Sequence, residues 1–124
     1  MATKKILIAE DERAMSKALE LKLTHVGFEA KPVFNGEEAL EVISKEKFDL
    51  ILMDLMMPKM DGFSVLEVLQ KKGNKIPIIV TSNLGQEEDF KRATALGAND
   101  YLIKSNTPIA KIVDRIREFL EGKK

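Results

Sequence analysis

A doubly wound α/β fold, with five parallel strands covered by helices on both faces, follows from three observations on this sequence. Four short, wholly apolar runs recur along it, of the kind shown by strands buried on both sides of a sheet. Segments with the 3.6-residue apolar period of helices stand between them. At 124 residues, against a loose prior of about 150 per domain, the chain has room for one domain and no second module. A strand–helix pair repeated five times reaches parallel neighbours through right-handed crossovers, which is the doubly wound arrangement.

The elements follow in chain order. Ile6-Leu7-Ile8-Ala9 is the first apolar run and predicts the first strand. Over residues 15–26, Met15, Ala18, Leu19, Leu23 and Val26 share one helical face, and Gly27 follows where a left-handed cap would sit. Residues 28–33 mix polar and apolar side chains around Pro32, which suits an edge strand where one ladder donor can be spared. Residues 37–47 predict the second helix, Leu50-Ile51-Leu52-Met53 the third strand and residues 62–72 the third helix. Ile76-Pro77-Ile78-Ile79-Val80 reads as the fourth strand. The helix after it, residues 86–96, has the weakest stripe, with Phe90 and Ala93 its main apolar members, so its docking permits movement. Tyr101-Leu102-Ile103 makes the fifth strand. Ile109, Ile112, Val113, Ile116 and Leu120 then form the stripe of a last helix, with Thr107 expected as N-cap and Pro108 at the first helical position. Glu121-Gly122-Lys123-Lys124 reads as a frayed, solvated end.

Composition removes several functions. Twenty Lys and Arg balance twenty Asp and Glu, so no overall basic field exists to hold nucleic acid, and none is expected to bind this chain alone. The absence of Cys excludes disulfides, Cys-zinc sites and thiol nucleophiles. Met1-Ala2-Thr3-Lys4-Lys5 leads into too short an apolar run for a signal peptide or a membrane span, so a cytoplasmic location without membrane attachment is expected.

In such a sheet a ligand is expected beyond the carboxyl ends of the strands. Those positions hold Glu10, Asp11 and Glu12 after strand one, Asp54 ending strand three, Thr81 and Ser82 ending strand four, and Lys104 ending strand five. Singly, each has a plain structural role. Asp11 or Glu12 is an acid at a helix start, Asp61-Gly62 a turn, and Lys104 a solvated edge charge. Together they place several carboxylates, a hydroxyl and an ammonium on one rim. Like charges that close raise one another's pKa unless a cation neutralises them, which argues for a metal. An all-oxygen donor set favours Mg²⁺ or Mn²⁺, and Mg²⁺ commonly completes its shell with water and a phosphate. Lys104 and Thr81 would then serve the phosphoryl oxygens, and Asp54 would attack phosphorus to become an aspartyl phosphate.

The segments Ile6-Leu7-Ile8-Ala9-Glu10-Asp11-Glu12, Asp49 through the run Met53-Asp54-Leu55-Met56-Met57-Pro58-Lys59-Met60-Asp61-Gly62, Ile78-Ile79-Val80-Thr81-Ser82 and Gly97-Ala98-Asn99-Asp100-Tyr101-Leu102-Ile103-Lys104 resemble the receiver domain of two-component response regulators. The resemblance covers essentially the whole chain. It implies one receiver domain over residues 1–124, either stand-alone or the N-terminal part of a longer regulator, with a flavodoxin-like three-layer sandwich in strand order 2-1-3-4-5. It implies Asp54 as phosphoacceptor, Asp11 as a direct metal ligand, Glu10 acting on the metal through water, and Met56 contributing its backbone carbonyl. Lys104 would contact the phosphoryl group, Thr81 would swing towards it, and Tyr101 would follow inwards. The implied function is a phosphorylation-activated switch that is not a turnover enzyme. Its phosphoryl donor would be a sensor histidine kinase, a phosphotransfer protein or a small acyl phosphate. A downstream protein target would read the face formed by helix 4, strand 5 and helix 5, with the chain a monomer or an activation-dependent dimer.

Three positions, Glu10, Ser105 and Ser82, depart from the commonest family pattern. Glu10 stands for the more usual Asp and is expected to alter metal affinity without loss of chemistry. Ser105 stands for Pro after Lys104, and a cis peptide costs about 3–4 kcal/mol before a non-proline residue, which counts against one at Lys104–Ser105. Ser82 adds a hydroxyl where Ala is typical, and Met56 and Asn83 occupy positions that tune phosphate lifetime in the family. The alternative class is a receiver-like interaction module independent of phosphorylation, against which Asp54, Asp11, Thr81 and Lys104 all speak. A small-molecule phosphatase lacks the second acid two residues after Asp54, and an FMN site would be repelled by Glu10, Asp11 and Glu12. His25, the single histidine, is expected on the surface without function, and Met53, Met56 and Met57 are expected in core and loop packing.

Overall fold

A computed structural model describes residues 3–122, so Lys123 and Lys124 of the expected frayed end lie outside the described residues. The chain alternates β1 (Lys5–Ala9), α1 (Arg13–His25), β2 (Glu29–Val33), α2 (Gly36–Lys45), β3 (Leu50–Asp54), α3 (Gly62–Lys71), β4 (Ile78–Ser82), α4 (Glu87–Ala95), β5 (Asp100–Ile103) and α5 (Ile109–Glu121). All strand pairings are parallel, in the order β2-β1-β3-β4-β5. The expected fold class and strand order are both met. Pro32 lies on edge strand β2, where its missing N–H costs no ladder bond to a further strand.

The apolar runs serve two cores. Leu7, Ala9, Ile51, Met53, Ile78 and Val80 face one side, against Ala39 of α2, Val65, Leu66 and Leu69 of α3 and Ala93 of α4. Ile6, Ile8, Leu50, Leu52 and Ile79 face the other, against Leu19 and Leu23 of α1 and Ile112, Val113 and Ile116 of α5. Alternate residues of a strand point to opposite faces, so a sheet covered on both sides requires every position to be apolar. Of α4 only Ala93 is buried, as its weak stripe predicts.

Most element ends differ from the sequence reading by one or two residues, α2 for instance ending at Lys45 rather than residue 47, and three differences have a visible cause or consequence. Strand β4 starts at Ile78 rather than residue 76 and runs on to Ser82. Pro77 has no N–H to donate, and the Asn74 side chain takes both the Ile76 N–H and its carbonyl at 3.3 and 3.0 Å. Helix α1 begins two residues earlier than its apolar stripe, at Arg13. Thr107 is not the cap of α5. The cap is Pro108, with extended ψ of 153°, and its carbonyl accepts the Lys111 and Ile112 N–H groups. Residues Lys104–Asn106 form a 3₁₀ turn before it. Gly27 adopts φ of 101° after α1, as its position predicted. No cis peptide occurs among the described residues, Lys104–Ser105 included. His25 is exposed. Met53 and Met57 are buried, but Met56 stands 59% exposed and packs in no core, because β3 has ended two residues before it.

Candidate functional site

Register brings the predicted residues level with one another. Ala9 pairs with Met53 and Asp54 with Thr81, so Glu10, one residue beyond Ala9, stands level with Asp54 across β1, β3 and β4. Ser82 pairs with Ile103, which sets Lys104 at the same rim of the sheet. Glu10 and Asp54 are each only 2% exposed, and Thr81 is buried between them and β5. Asp11 is exposed and sits at the mouth.

Lys104 ties the site together. Its Nζ lies 3.0 Å from Glu10 Oε1, 3.3 Å from Asp54 Oδ2 and 3.6 Å from Glu12 Oε1, with its side chain 12% exposed. Asp54 Oδ1 accepts the Met56 N–H at 3.1 Å, and Glu10 Oε2 accepts the Glu12 N–H at 3.0 Å. Burial, with the Glu10 charge beside it, pushes the Asp54 carboxyl up to about 7, although the Met56 N–H and Lys104 pull it down. For Lys104, burial acts against the charge. Its hydrogen bond to Glu10 and the adjacent Asp54 outweigh that effect, so its pKa lies above the usual lysine value and the ammonium persists.

The donor chemistry fits a hard divalent cation. Glu10, Asp11 and Asp54 offer carboxylate oxygens that all lie within 4.8 Å of one another. Glu10 Oε1 is buried without a hydrogen-bond donor, since Lys104 approaches it closely but bonds in good geometry only to Oε2. A buried anionic oxygen without a donor is the kind of group that a cation satisfies.

Around this centre the structure adds residues whose role the sequence concealed. Asp61 Oδ1 caps α3 by accepting the Ser64 N–H at 2.8 Å. Gly62 donates its N–H to Leu55 O, and a Cβ there would press on the Asp54 carbonyl oxygen and lie 2.7 Å from Leu55 Cα. The Asp61-Gly62 pair is therefore more than a turn, because it lets α3 start directly against the end of β3. Ser82 Oγ accepts the Leu84 N–H at 3.1 Å, and the Tyr101 hydroxyl donates to Leu84 O at 2.6 Å. The Tyr101 ring is half-buried against Phe90 of α4, with centroids 4.3 Å apart. Asn83 Oδ1 accepts the Ser105 N–H at 2.9 Å, joining the loops after β4 and β5.

Buried acids and a lysine thus gather at the carboxyl rim of this five-stranded parallel sheet, with the Asp54 carboxyl raised to about 7 by burial and the Glu10 charge. Comparison with known proteins is specific. The family model described as the response regulator receiver domain matches residues 6–117, and the chain belongs to that family. It is 40% identical over 116 residues to a probable transcriptional regulator ycf27 of Pyropia yezoensis, covering 94% of this chain and 47% of that protein. A ycf27 protein of Cyanophora paradoxa is 39% identical over 117 residues, covering 94% of this chain and 48% of that one. The chain thus spans about half the length of these curated relatives. Among solved structures, the Francisella response regulator 1452 receiver domain superposes with a TM-score of 0.90 at 30% identity, covering 98% of this chain and 100% of that one. The phosphorylated cyanobacterial phytochrome response regulator RcpA gives 0.85 at 32% identity, covering 99% and 98%. The protein is accordingly a signalling domain of a two-component system, a class that works with histidine kinases or phosphotransfer proteins. No helix among the described residues is long and apolar enough to cross a membrane.

Proposed function

We propose that residues 1–124 are one cytoplasmic receiver domain that takes a phosphoryl group onto Asp54. The observation carrying this reading is the Lys104 ammonium set between two buried carboxylates, 3.0 Å from Glu10 and 3.3 Å from Asp54, where nothing structural calls for them. Burying a charge triad costs several kcal/mol, and a hydrophobic trio of similar volume would hold the fold better. Such an arrangement is retained for chemistry.

The steps belong to this chain's own side chains. Asp54 must be ionised to attack, and a carboxyl near 7 gives up its proton at neutral pH while remaining more nucleophilic than an ordinary aspartate. One of its oxygens forms a bond to phosphorus as the phosphorus–oxygen or phosphorus–nitrogen bond of the donor breaks, with the electron pair leaving on the donor. Lys104 stays protonated beside Asp54 and balances the charge that develops on the phosphoryl oxygens. Thr81, level with Asp54, offers a hydroxyl to those oxygens. Glu10, Asp11 and Asp54, with the Met56 backbone carbonyl, would hold Mg²⁺ or Mn²⁺, which supplies neutralisation of the carboxylates and the incoming phosphate when bound.

The readout runs through Tyr101. Its hydroxyl is bound to Leu84 O in the loop that follows Thr81, and its ring lies on Phe90 of α4, so movement of Thr81 reaches α4 through one loop. With only Ala93 buried, α4 is held weakly enough to respond. The resulting surface of α4, β5 and α5 is the target-binding face. The ycf27 relatives are named transcriptional regulators, and in a longer protein of that kind DNA reading would belong outside residues 6–117. Adding Mg²⁺ and beryllofluoride to the wild-type chain should shift the amide resonances of Thr81, Tyr101 and Lys104, and Asp54→Asn should abolish those shifts. Unmoved resonances in the wild type would overturn the reading.

A further inference from the structure

The carboxyl ends of β4 and β5 carry the two groups that face Asp54 from the far side, Thr81 within β4 and two residues before Asn83, and Lys104 just after β5 and one residue before Ser105. They are joined by a single side-chain bond, from the Ser105 N–H to Asn83 Oδ1 at 2.9 Å, across 22 residues of sequence. Apart from the ion pairs of the Lys104 ammonium itself, the backbone of the Lys104–Asn106 turn has little else to hold it. Within it only the Thr107 N–H closes back, onto Lys104 O at 3.3 Å, and none of its residues is buried. The β4 side, by contrast, is braced. Ser82 Oγ takes the Leu84 N–H and Tyr101 takes the Leu84 carbonyl, so Asn83 projects from a loop fixed on both sides of it. Asn83 is itself exposed, so its one bond holds position rather than filling a core.

We propose that Asn83 is a positioning residue for Lys104: its side-chain carbonyl anchors the peptide following Lys104 to the braced end of β4, so that the ammonium and Thr81 meet the phosphoryl group as one unit. The inference rests on the phosphoryl-acceptor reading for its catalytic consequence, but the anchoring itself is independent of it. A lost acceptor frees the turn, and Lys104 then spends less of its time between Glu10 and Asp54. A side chain–backbone bond of this kind is worth on the order of a factor of five, at tenfold per 1.4 kcal/mol.

Three variants test it. Asn83→Ala removes the acceptor, Asn83→Asp keeps one and Ser105→Ala leaves the backbone N–H untouched. Two quantities are read on each folded protein: amide exchange at residue 105, and the rate of phosphorylation by acetyl phosphate with Mg²⁺ against donor concentration. Asn83→Ala is expected to speed exchange at residue 105 and to lower the maximal rate about five-fold with the half-saturating donor concentration unchanged. Asn83→Asp should restore both and Ser105→Ala should alter neither. A silent Asn83→Ala rate with faster exchange at residue 105 would overturn the positioning role. Unaltered exchange in Asn83→Ala would overturn the anchor. If the wild type takes no phosphoryl group, the acceptor reading fails while the exchange result still decides the anchor.

Discussion

Replacing Asp54 by Asn keeps the shape of the side chain and removes its ionisation, which makes the stability of the site readable as a function of pH. In the folded protein the Asp54 carboxyl titrates near 7, held up first by burial and then by the Glu10 charge, against 3.8 for an ordinary aspartate. Below the unfolded value both states carry the proton, and the stabilisation from the raised pKa is fully present. As pH rises, the unfolded chain ionises first, and the contribution drains away until the folded group also ionises near 7. The gap from 3.8 to about 7, at about 1.36 kcal/mol per pH unit, amounts to about 4 kcal/mol. In metal-free buffer, Asp54→Asn should therefore match the wild type within about 1 kcal/mol at pH 4 and exceed it by about 4 kcal/mol at pH 8. Urea denaturation of both proteins, at a slope of about 2 kcal/mol per molar, reads that as a midpoint gap opening to about 2 M. Titrating groups away from the site cancel in the difference between the two proteins, while Glu10 and Lys104, which act on Asp54 directly, are part of the effect. A gap independent of pH, or one that closes as pH rises, would refute the burial-and-repulsion account of this carboxyl.

Other outcomes follow from the same geometry. Mg²⁺ at about a hundred times its dissociation constant should stabilise the wild type by about 2.7 kcal/mol, seen as a rise in melting temperature, and should stabilise Asp11→Asn and Asp54→Asn much less; equal responses would remove the metal site. Gly62→Ala should cost about 2–3 kcal/mol in urea denaturation, because its Cβ meets backbone of Asp54 and Leu55 that cannot yield. Asp61→Ala should lose about 1 kcal/mol with its cap to Ser64, whereas Thr107→Ala, which caps nothing, should fall within about 0.5 kcal/mol of the wild type.

Where sequence reading succeeded, the pattern itself carried the physics. Ile51 and Leu52 are both apolar because one faces the α2–α4 core and the other the α1–α5 core, so an unbroken run announces a doubly covered strand. The convergence of Glu10, Asp54, Thr81 and Lys104 was legible because the rim of a parallel sheet collects whatever ends each strand. What escaped notice depended on single hydrogen bonds with no periodicity. Asn74 trimming the start of β4, Pro108 displacing Thr107 as cap, and Asn83 holding Ser105 are each set by the path of one loop. The exposure of Met56 had the same origin, since residue type spoke for burial and the end of β3 decided against it.

The central claim is that Asp54 accepts a phosphoryl group, and intact-mass spectrometry with peptide mapping after incubation in acetyl phosphate and Mg²⁺ tests it most directly. The account predicts the mass of one added phosphoryl group on the wild type, mapped to the peptide containing Asp54, sensitive to hydroxylamine and absent from Asp54→Asn. An unmodified wild type beside a competent control receiver, or a modification that survives Asp54→Asn, would contradict it.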